Sequence, residues 1–203
     1  MNVVIDCGLG NSGSVVNMIK KIGGDAVASA NSRDLEKADK LILPGVGKFD
    51  YGMKQLQEHN LKELLNKIIF VQKKPILGIC LGMQLFTKKS EEGILPGLGW
   101  INAETKRFDF SDGNHQKRIP HMGWNKIKLK KPTPLITSQE NDRFYFVHSY
   151  HVVCADTDDI VATTDYGYEF VSMIQHENIF GAQFHPEKSH KYGMNLLKNF
   201  LNL

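Results

Sequence analysis

A cysteine stands between two glycines in the stretch GICLG, residues 78–82. With serine in the central place, this pattern is the nucleophile elbow, a strained strand-to-helix turn that presents its side chain above the strand ends. Glycines suit such a turn because larger side chains would crowd it. The positive end of the following helix also favours the thiolate, the nucleophilic form of cysteine. We therefore interpret Cys80 as a nucleophile and Cys7 and Cys154 as ordinary core cysteines.

A nucleophilic cysteine requires a base and a group that orients the base. In the stretch FHPE, His185 and Glu187 are two residues apart at what we predict to be a strand end. Side chains at i and i+2 of a strand point to the same side. The proline between them restricts the backbone. The spacing predicts that Glu187 holds one imidazole nitrogen of His185 while the other nitrogen faces Cys80.

The other histidines suggest no metal site. His148 and His151 form an H-x-x-H pair, and on a strand this spacing places the two rings on opposite faces. His121 and His176 have no obvious partners, so we expect surface positions or hydrogen-bonded core positions for both.

A glycine loop, PGVG at residues 44–47, follows the predicted strand KLIL. One interpretation is a plain turn. The other is an oxyanion hole, in which the backbone of Val46 and Gly47 supplies a donor and the N–H of Leu81 completes the pair.

An earlier loop, GLGNSG at residues 8–13, matches the dinucleotide fingerprint between a strand and a helix. That fingerprint expects an acidic residue about 20 positions further on, to bind the ribose. Asn31 occupies that region, and Asp34 comes later. We therefore predict a tight turn, and a nucleotide-binding α/β protein remains a distant alternative.

The order of elements predicts an α/β fold. In the first half, short apolar strands alternate with helical segments, which indicates a parallel sheet with helices on both faces. The second half consists mostly of strand-like segments between turns and ends in a helix at 191–203. We therefore predict a central mixed, mostly parallel sheet flanked by helices, with an antiparallel extension, in one domain spanning 1–203.

Composition limits the possible classes of protein. A net charge of +3 is mild and spread along the chain, so the cluster KLKK at 128–131 indicates a solvated face rather than a nucleic-acid site. Three cysteines without paired spacing argue against a disulfide framework. The N-terminus lacks the basic start and apolar stretch of a signal peptide, and no segment approaches the length of a membrane span. We expect a cytoplasmic protein with no nucleic-acid or membrane partner.

Taken together, the motifs resemble the class I glutamine amidotransferases. GICLGMQ and FHPE are about a hundred residues apart, and PGVGKFD, PHMGWN, YFVHSY and GAQFHPEKS accompany them. This combination is similar to the glutaminase subunits of imidazole glycerol phosphate synthase, nearly from end to end.

The resemblance implies that Cys80 attacks the side-chain amide of glutamine while His185, oriented by Glu187, moves protons. No metal or cofactor is implied. It also implies a glutamine pocket lined by Gly45, Gln84, Glu92, His148, Ser149 and Tyr150.

The resemblance further implies a partner. Ammonia would pass to a cyclase subunit with a (β/α)₈ barrel in histidine biosynthesis, across a surface that includes Met122, Trp124 and Lys188. One position departs from the family, because GNSGSV has Gly13 where relatives have arginine. This departure keeps an alternative open, in which a paralogous glutaminase supplies ammonia to a sugar-modifying amidotransferase.

Overall fold

The computed structural model describes residues 1–111, 117–137 and 142–203, and it has an α/β fold with a mixed sheet. The strands are β1 (Asn2–Ile5), β2 (Ala26–Ser29), β3 (Lys40–Gly45), β4 (Ile76–Cys80), β5 (Ala103–Arg107), β6 (His121–Lys126), β7 (Lys128–Leu129), β8 (Arg143–His148), β9 (Tyr150–Cys154), β10 (Ile160–Asp165), β11 (Glu169–His176) and β12 (Ile179–Ala182). The helices are α1 (Ser12–Lys21), α2 (Ser32–Lys37), α3 (Phe49–Glu58), α4 (Leu61–Asn66), α5 (Leu81–Leu85) and α6 (His190–Leu201). Three short turns complete the elements: a π turn at Lys67–Val71 and 3₁₀ turns at Thr157–Asp159 and Pro186–Lys188.

The large sheet has a parallel part and an antiparallel part. Its order is β2-β1-β3-β4-β12-β11-β10-β7, and β9 pairs with both β11 and β5. Parallel pairing joins β2, β1, β3, β4 and β12, while the remaining strands pair antiparallel. Strands β6 and β8 form a separate antiparallel pair. The predicted parallel centre with an antiparallel extension is confirmed.

Successive residues of a strand point to opposite sides of the sheet, and both sides of the parallel strands are buried. Val3 and Ile5 belong to one apolar cluster, whereas Val4 between them belongs to the other. Helices α3 and α4 contribute Phe49, Leu56, Leu61 and Leu65 to the first cluster, and α1 and α6 contribute Val15, Ile19, Leu196 and Phe200 to the second. The sheet is therefore flanked by helices on both faces.

Local boundaries differ from the predictions where tertiary packing decides them. The helical stretch 51–73 divides into α3, α4 and the π turn, and the strand-like stretch 97–108 forms only β5. All three cysteines are free, as predicted. Among the described residues, no helix has the length and apolar character needed to cross a membrane.

Candidate active site

Cys80 lies at the strained turn that the sequence predicts, at the junction of β4 and α5. Its backbone has φ 53° and ψ −109°, an unusual conformation for a residue with a side chain. The neighbouring elements pack too closely for any side chain at either flanking glycine. A Cβ at Gly82 would lie 1.8 Å from the Leu43 carbonyl oxygen, and one at Gly78 would lie 2.6 Å from Phe86. The tight packing of α5 against the sheet therefore holds Cys80 at the strand end.

Sheet register brings the other motifs to the same edge. Gly45 of β3 pairs with Cys80, and Ala182 of β12 pairs with Ile79. Because these three strands are parallel, their carboxyl ends meet, and this edge is the usual place for a site in an α/β sheet. The PGVG loop and the FHPE stretch therefore converge on the cysteine.

His185 and Glu187 form a buried pair. Nδ1 of His185 donates to Oε1 of Glu187 over 2.7 Å, and both side chains are almost completely buried. The contact was predicted, but its local geometry was not, since Glu187 lies in the 3₁₀ turn that begins at Pro186 rather than at a strand end. Nε2 of His185 has no hydrogen-bond partner among the described residues. The same cavity is lined by His185 and Cys80.

The charge of His185 follows from its neighbours. Burial opposes the charged imidazolium, but interactions with Cys80 and Glu187 outweigh it and raise the pKa of His185 to about 10. The imidazole is therefore protonated at neutral pH and places a positive charge beside the sulfur. This is the setting in which cysteine reacts as a thiolate.

The site opens into a cavity of about 330 Å³. Its lining includes most of the predicted site residues: Val46, Gly47, Cys80, Leu81, Gln84, Glu92, His148, Ser149, Tyr150 and His185. Gly45 is not in the lining, but it pairs with Cys80 directly behind it. A slightly larger cavity of about 380 Å³ lies beside α3 and α4, but its lining contains no cysteine, serine or histidine. The smaller cavity is therefore the candidate active site.

One backbone N–H of the predicted oxyanion hole is engaged within the chain. The N–H of Val46 donates to the carbonyl oxygen of Leu9 over 2.9 Å, so it is not available to a substrate. Leu81 is the first residue of α5, where an N–H has no acceptor within the helix. Of these two predicted donors, the N–H of Leu81 has no acceptor within its helix and the N–H of Val46 is bound to Leu9.

Asn11 was missed by the sequence reasoning. Its Nδ2 donates to Oε1 of Glu187 over 3.0 Å, from the GLGNSG loop. Positive φ angles at Gly8, Gly10 and Asn11 show that this loop is a tight turn, as predicted. The turn places Asn11 against the carboxylate, which then accepts from both His185 and Asn11.

A chain of hydrogen bonds extends from strand β6 to the pocket. The Tyr150 carbonyl can only accept, so Nδ1 of His148 donates to it over 2.7 Å. Nε2 of neutral His148 must then accept from Nδ1 of His121, at 3.1 Å. Nε2 of His121 accepts in turn from Asn125 at 3.3 Å. The same Tyr150 carbonyl accepts from Nε2 of Gln84 at 3.0 Å, so the chain ends in the pocket wall.

One expectation about these histidines was wrong. The rings of His148 and His151 both contact Phe108, because the strand is interrupted at Ser149 and the residues belong to β8 and β9. His121 occupies a buried, hydrogen-bonded core position, one of the two kinds of position expected for it, although its partner His148 was not predicted. Burial lowers the pKa of His121 to about 4, and it lowers the pKa of His148 well below its usual value. No group of three metal-binding side chains occurs in the described part of the chain.

The residues that the resemblance assigns to a partner surface lie together. Met122 and Trp124 alternate on β6 and are 61% and 43% exposed, unusual for large apolar side chains. Trp124 pairs with Tyr145 of β8, and Nζ of Lys188 lies 6.0 Å from the Tyr145 ring centre. The three residues therefore share one exposed face beside the active site.

Comparison with known proteins agrees with this geometry. The family pattern "Glutamine amidotransferase class-I" matches residues 3–203. The imidazole glycerol phosphate synthase subunit HisH 2 of Pseudomonas aeruginosa is 48% identical, covering 100% of both chains. The protein of the same name from Methanococcus maripaludis is 53% identical, covering 99% of this chain and 98% of that one. A solved glutamine amidotransferase shares the fold, with a TM-score of 0.72 at 18% identity, over 98% of this chain and 97% of that one. The chain belongs to the class-I glutamine amidotransferase family and, within it, to the HisH subunits of imidazole glycerol phosphate synthase.

Proposed function

We propose that this chain hydrolyses glutamine to glutamate and ammonia with Cys80, His185 and Glu187. The observation that supports this most is the strained Cys80 at a strand end beside a protonated His185, which Glu187 holds from behind. The Cys80 thiolate attacks the side-chain amide carbon. Nε2 of His185 then gives its proton to the departing nitrogen, and a thioester and ammonia result. Water, deprotonated by the now neutral His185, attacks the thioester and releases glutamate and the thiol.

The cavity walls supply the groups that hold the substrate. Glutamine has an α-amino group and an α-carboxylate, and the lining offers amide, carboxylate, imidazole and hydroxyl groups from Gln84, Glu92, His148, Ser149 and Tyr150. Oε2 of Glu92 accepts from the N–H of Phe49 over 2.8 Å, which fixes the carboxylate at the start of α3. We assign glutamine binding to these five residues and to the backbone at Gly45.

We infer that ammonia passes to a cyclase subunit with a (β/α)₈ barrel, in histidine biosynthesis. The names of the relatives support this assignment, since they are subunits of imidazole glycerol phosphate synthase. Met122, Trp124 and Lys188 form the docking face in this proposal. Trp124 is the best candidate for an anchor of this face, because tryptophan is enriched among interface hot spots.

One observation favours a second candidate partner. Gly13 stands where arginine is expected, and nothing lies within 4 Å of the place where its Cβ would be. A side chain would fit there, so packing within the chain does not require glycine. A paralogous glutaminase that feeds a sugar-modifying amidotransferase is the alternative that this position suggests.

The nucleophile is tested with Cys80→Ala. Glutamate release should fall on the order of a million-fold, while the protein still folds and binds glutamine. Cys154→Ala is the control, because burial raises the pKa of Cys154 to about 12 and that of Cys7 to about 11, which makes both thiols unreactive. A glutamine-like electrophile should accordingly label Cys80 alone. Near-normal hydrolysis by Cys80→Ala would refute the proposed mechanism.

The acceptor is tested by purifying the chain with its partner and supplying the precursor of imidazole glycerol phosphate. Glutamine-dependent conversion of this precursor supports the synthase. Hydrolysis that responds to the partner but not to the precursor supports the sugar-modifying alternative.

A further inference from the structure

Gln183 touches the nucleophile, although the proposed glutamine hydrolysis assigns it no role. Its side chain is completely buried. Nε2 of Gln183 donates to Sγ of Cys80 over 3.6 Å, which is within hydrogen-bond range for sulfur. Oε1 of Gln183 accepts from Nε2 of Gln84 over 3.0 Å. One end of this amide is therefore at the sulfur, and the other is at the wall of the glutamine pocket.

The backbone fixes where Gln183 lies. It follows directly after β12, whose last residue, Ala182, pairs with Ile79 beside the cysteine. The N–H of Gln183 donates to the carbonyl oxygen of Ser172 over 3.0 Å, which continues the strand pairing on the other side. The same segment reaches His185 two residues later, so one stretch of chain supplies two contacts around the nucleophile.

The orientation of the amide follows from its partners. Nε2 of Gln84 donates to the Tyr150 carbonyl, which can only accept, and its second hydrogen points to Gln183. Gln183 must therefore present its oxygen to Gln84 and its NH₂ to the sulfur. His148 also donates to the Tyr150 carbonyl, so the hydrogen bonds that begin at β6 continue to Cys80.

We propose that Gln183 is a positioning residue, which holds the sulfur of Cys80 with a neutral N–H donor and connects it to Gln84. This inference rests on the proposed function, because it requires Cys80 to react as a thiolate. His185 changes protonation state during the reaction, whereas an amide does not. Gln183 therefore keeps a donor on the sulfur while His185 gives its proton to the leaving nitrogen. A donor favours the thiolate over the thiol, because hydrogen bonds to charged groups are the stronger ones.

The test is the pH dependence of Cys80 alkylation by iodoacetamide in Gln183→Met, which keeps the length of the side chain and removes the amide. The midpoint should rise by about one pH unit, the value of one hydrogen bond to a charged group. The titratable groups that line the pocket around Cys80 are Glu92, His148, Tyr150 and His185, and none of them is changed. In glutamine hydrolysis, kcat should fall about ten-fold with little change in KM, whereas Gln84→Met should mainly raise KM.

Ser172→Ala is the matched control. Its hydroxyl is buried, has no hydrogen-bond partner among the described residues, and belongs to the residue whose carbonyl receives the Gln183 N–H. This variant should leave the alkylation midpoint unchanged. If Gln183→Met does not fold, Gln183→Glu keeps the acceptor toward Gln84, removes the donor and should move the midpoint in the same direction.

The outcomes separate the two proposals. An unchanged alkylation midpoint in a folded Gln183 variant overturns the positioning role and leaves the nucleophile in place. Glutamine hydrolysis by Cys80→Ala, or alkylation of Cys80 that glutamine does not slow, overturns the proposed function itself.

Discussion

His185 and His148 are both buried beside the same cavity, yet they have opposite electrostatic properties. His185 is 1% exposed and His148 is 6% exposed, so burial does not distinguish them. The partners do. His185 donates to a carboxylate, and its pKa rises to about 10. His148 donates to a neutral carbonyl and accepts from a second histidine, and its pKa falls well below the usual value.

The difference shows how one fold separates a reactive site from a structural one. A neutral histidine is both donor and acceptor, so His148 can link the chain of hydrogen bonds that ends at Tyr150. A protonated histidine only donates, so His185 offers a charge and a proton to the cavity. Cys80 and Glu187 together raise the pKa of His185, and Glu187 is itself held by Asn11.

Removing the Glu187 carboxylate should have a large effect on activity. Glu187→Gln keeps an oxygen that accepts from His185 and Asn11, but it removes the charge that favours the imidazolium. We expect kcat/KM for glutamine to fall about ten-thousand-fold, against about a million-fold for His185→Ala. The pKa of His185, followed by NMR of the imidazole nitrogens, should fall below its wild-type value. A greater loss of activity in Glu187→Gln than in His185→Ala would reverse the assigned roles.

The sequence predicted the site residues that belong to short local motifs. GICLG and FHPE identify Cys80, His185 and Glu187 because the glycines and the spacing belong to short segments. The contacts of Asn11 with Glu187 and of Gln183 with Cys80 join residues 176 and 103 positions apart. Such pairs depend on the order and register of the strands, which composition and periodicity do not specify. The pairing of His121 with His148 was missed for the same reason, since it follows from the register of β6 and β8.

In the isolated chain His185 and Glu187 are already hydrogen-bonded, whereas the N–H of Val46, a proposed oxyanion donor, is engaged by Leu9. Because the N–H of Val46 is bound to Leu9, we expect the chain alone to hydrolyse glutamine slowly. Rotation of the Gly45–Val46 peptide would release this donor, and one oxyanion donor is worth about a hundred-fold or more in rate. Partner and acceptor ligand together should therefore raise glutamine turnover by at least about that factor.

A variant of the docking face provides the control for this stimulation. Trp124→Ala should weaken association with the partner and reduce the stimulation, while the slow rate of the isolated chain stays the same. Full activity of the unmodified chain without a partner would contradict gating and favour a free-standing glutamine hydrolase.

The smallest expected effect is on the pH dependence of stability. Rising pH stabilises the fold through His121 and destabilises it through His185. The pKa of His121 is 6.5 in its ordinary state and about 4 in the folded chain, so the unfolded state binds more protons as pH falls below 6.5. Stability should therefore decrease between pH 6.5 and 4, by on the order of 3 kcal/mol from His121 alone. The pKa of His185 is raised to about 10, so its contribution is present below pH 6.5 and is lost as pH rises through 10.

Urea unfolding of His121→Phe between pH 4.5 and 7.5 isolates the acid side of this profile. The phenyl ring keeps the stacking against Phe146 and Tyr166, which lie 4.8 and 4.0 Å away between ring centres. Stability at neutral pH should drop by about 1–3 kcal/mol, because Nε2 of His148 loses its donor. The slope of stability against pH should become shallower, since one neutral buried histidine is gone. His59→Phe, at an exposed position, should keep the wild-type slope, and an equally steep slope in His121→Phe would show that His121 is not the group that titrates.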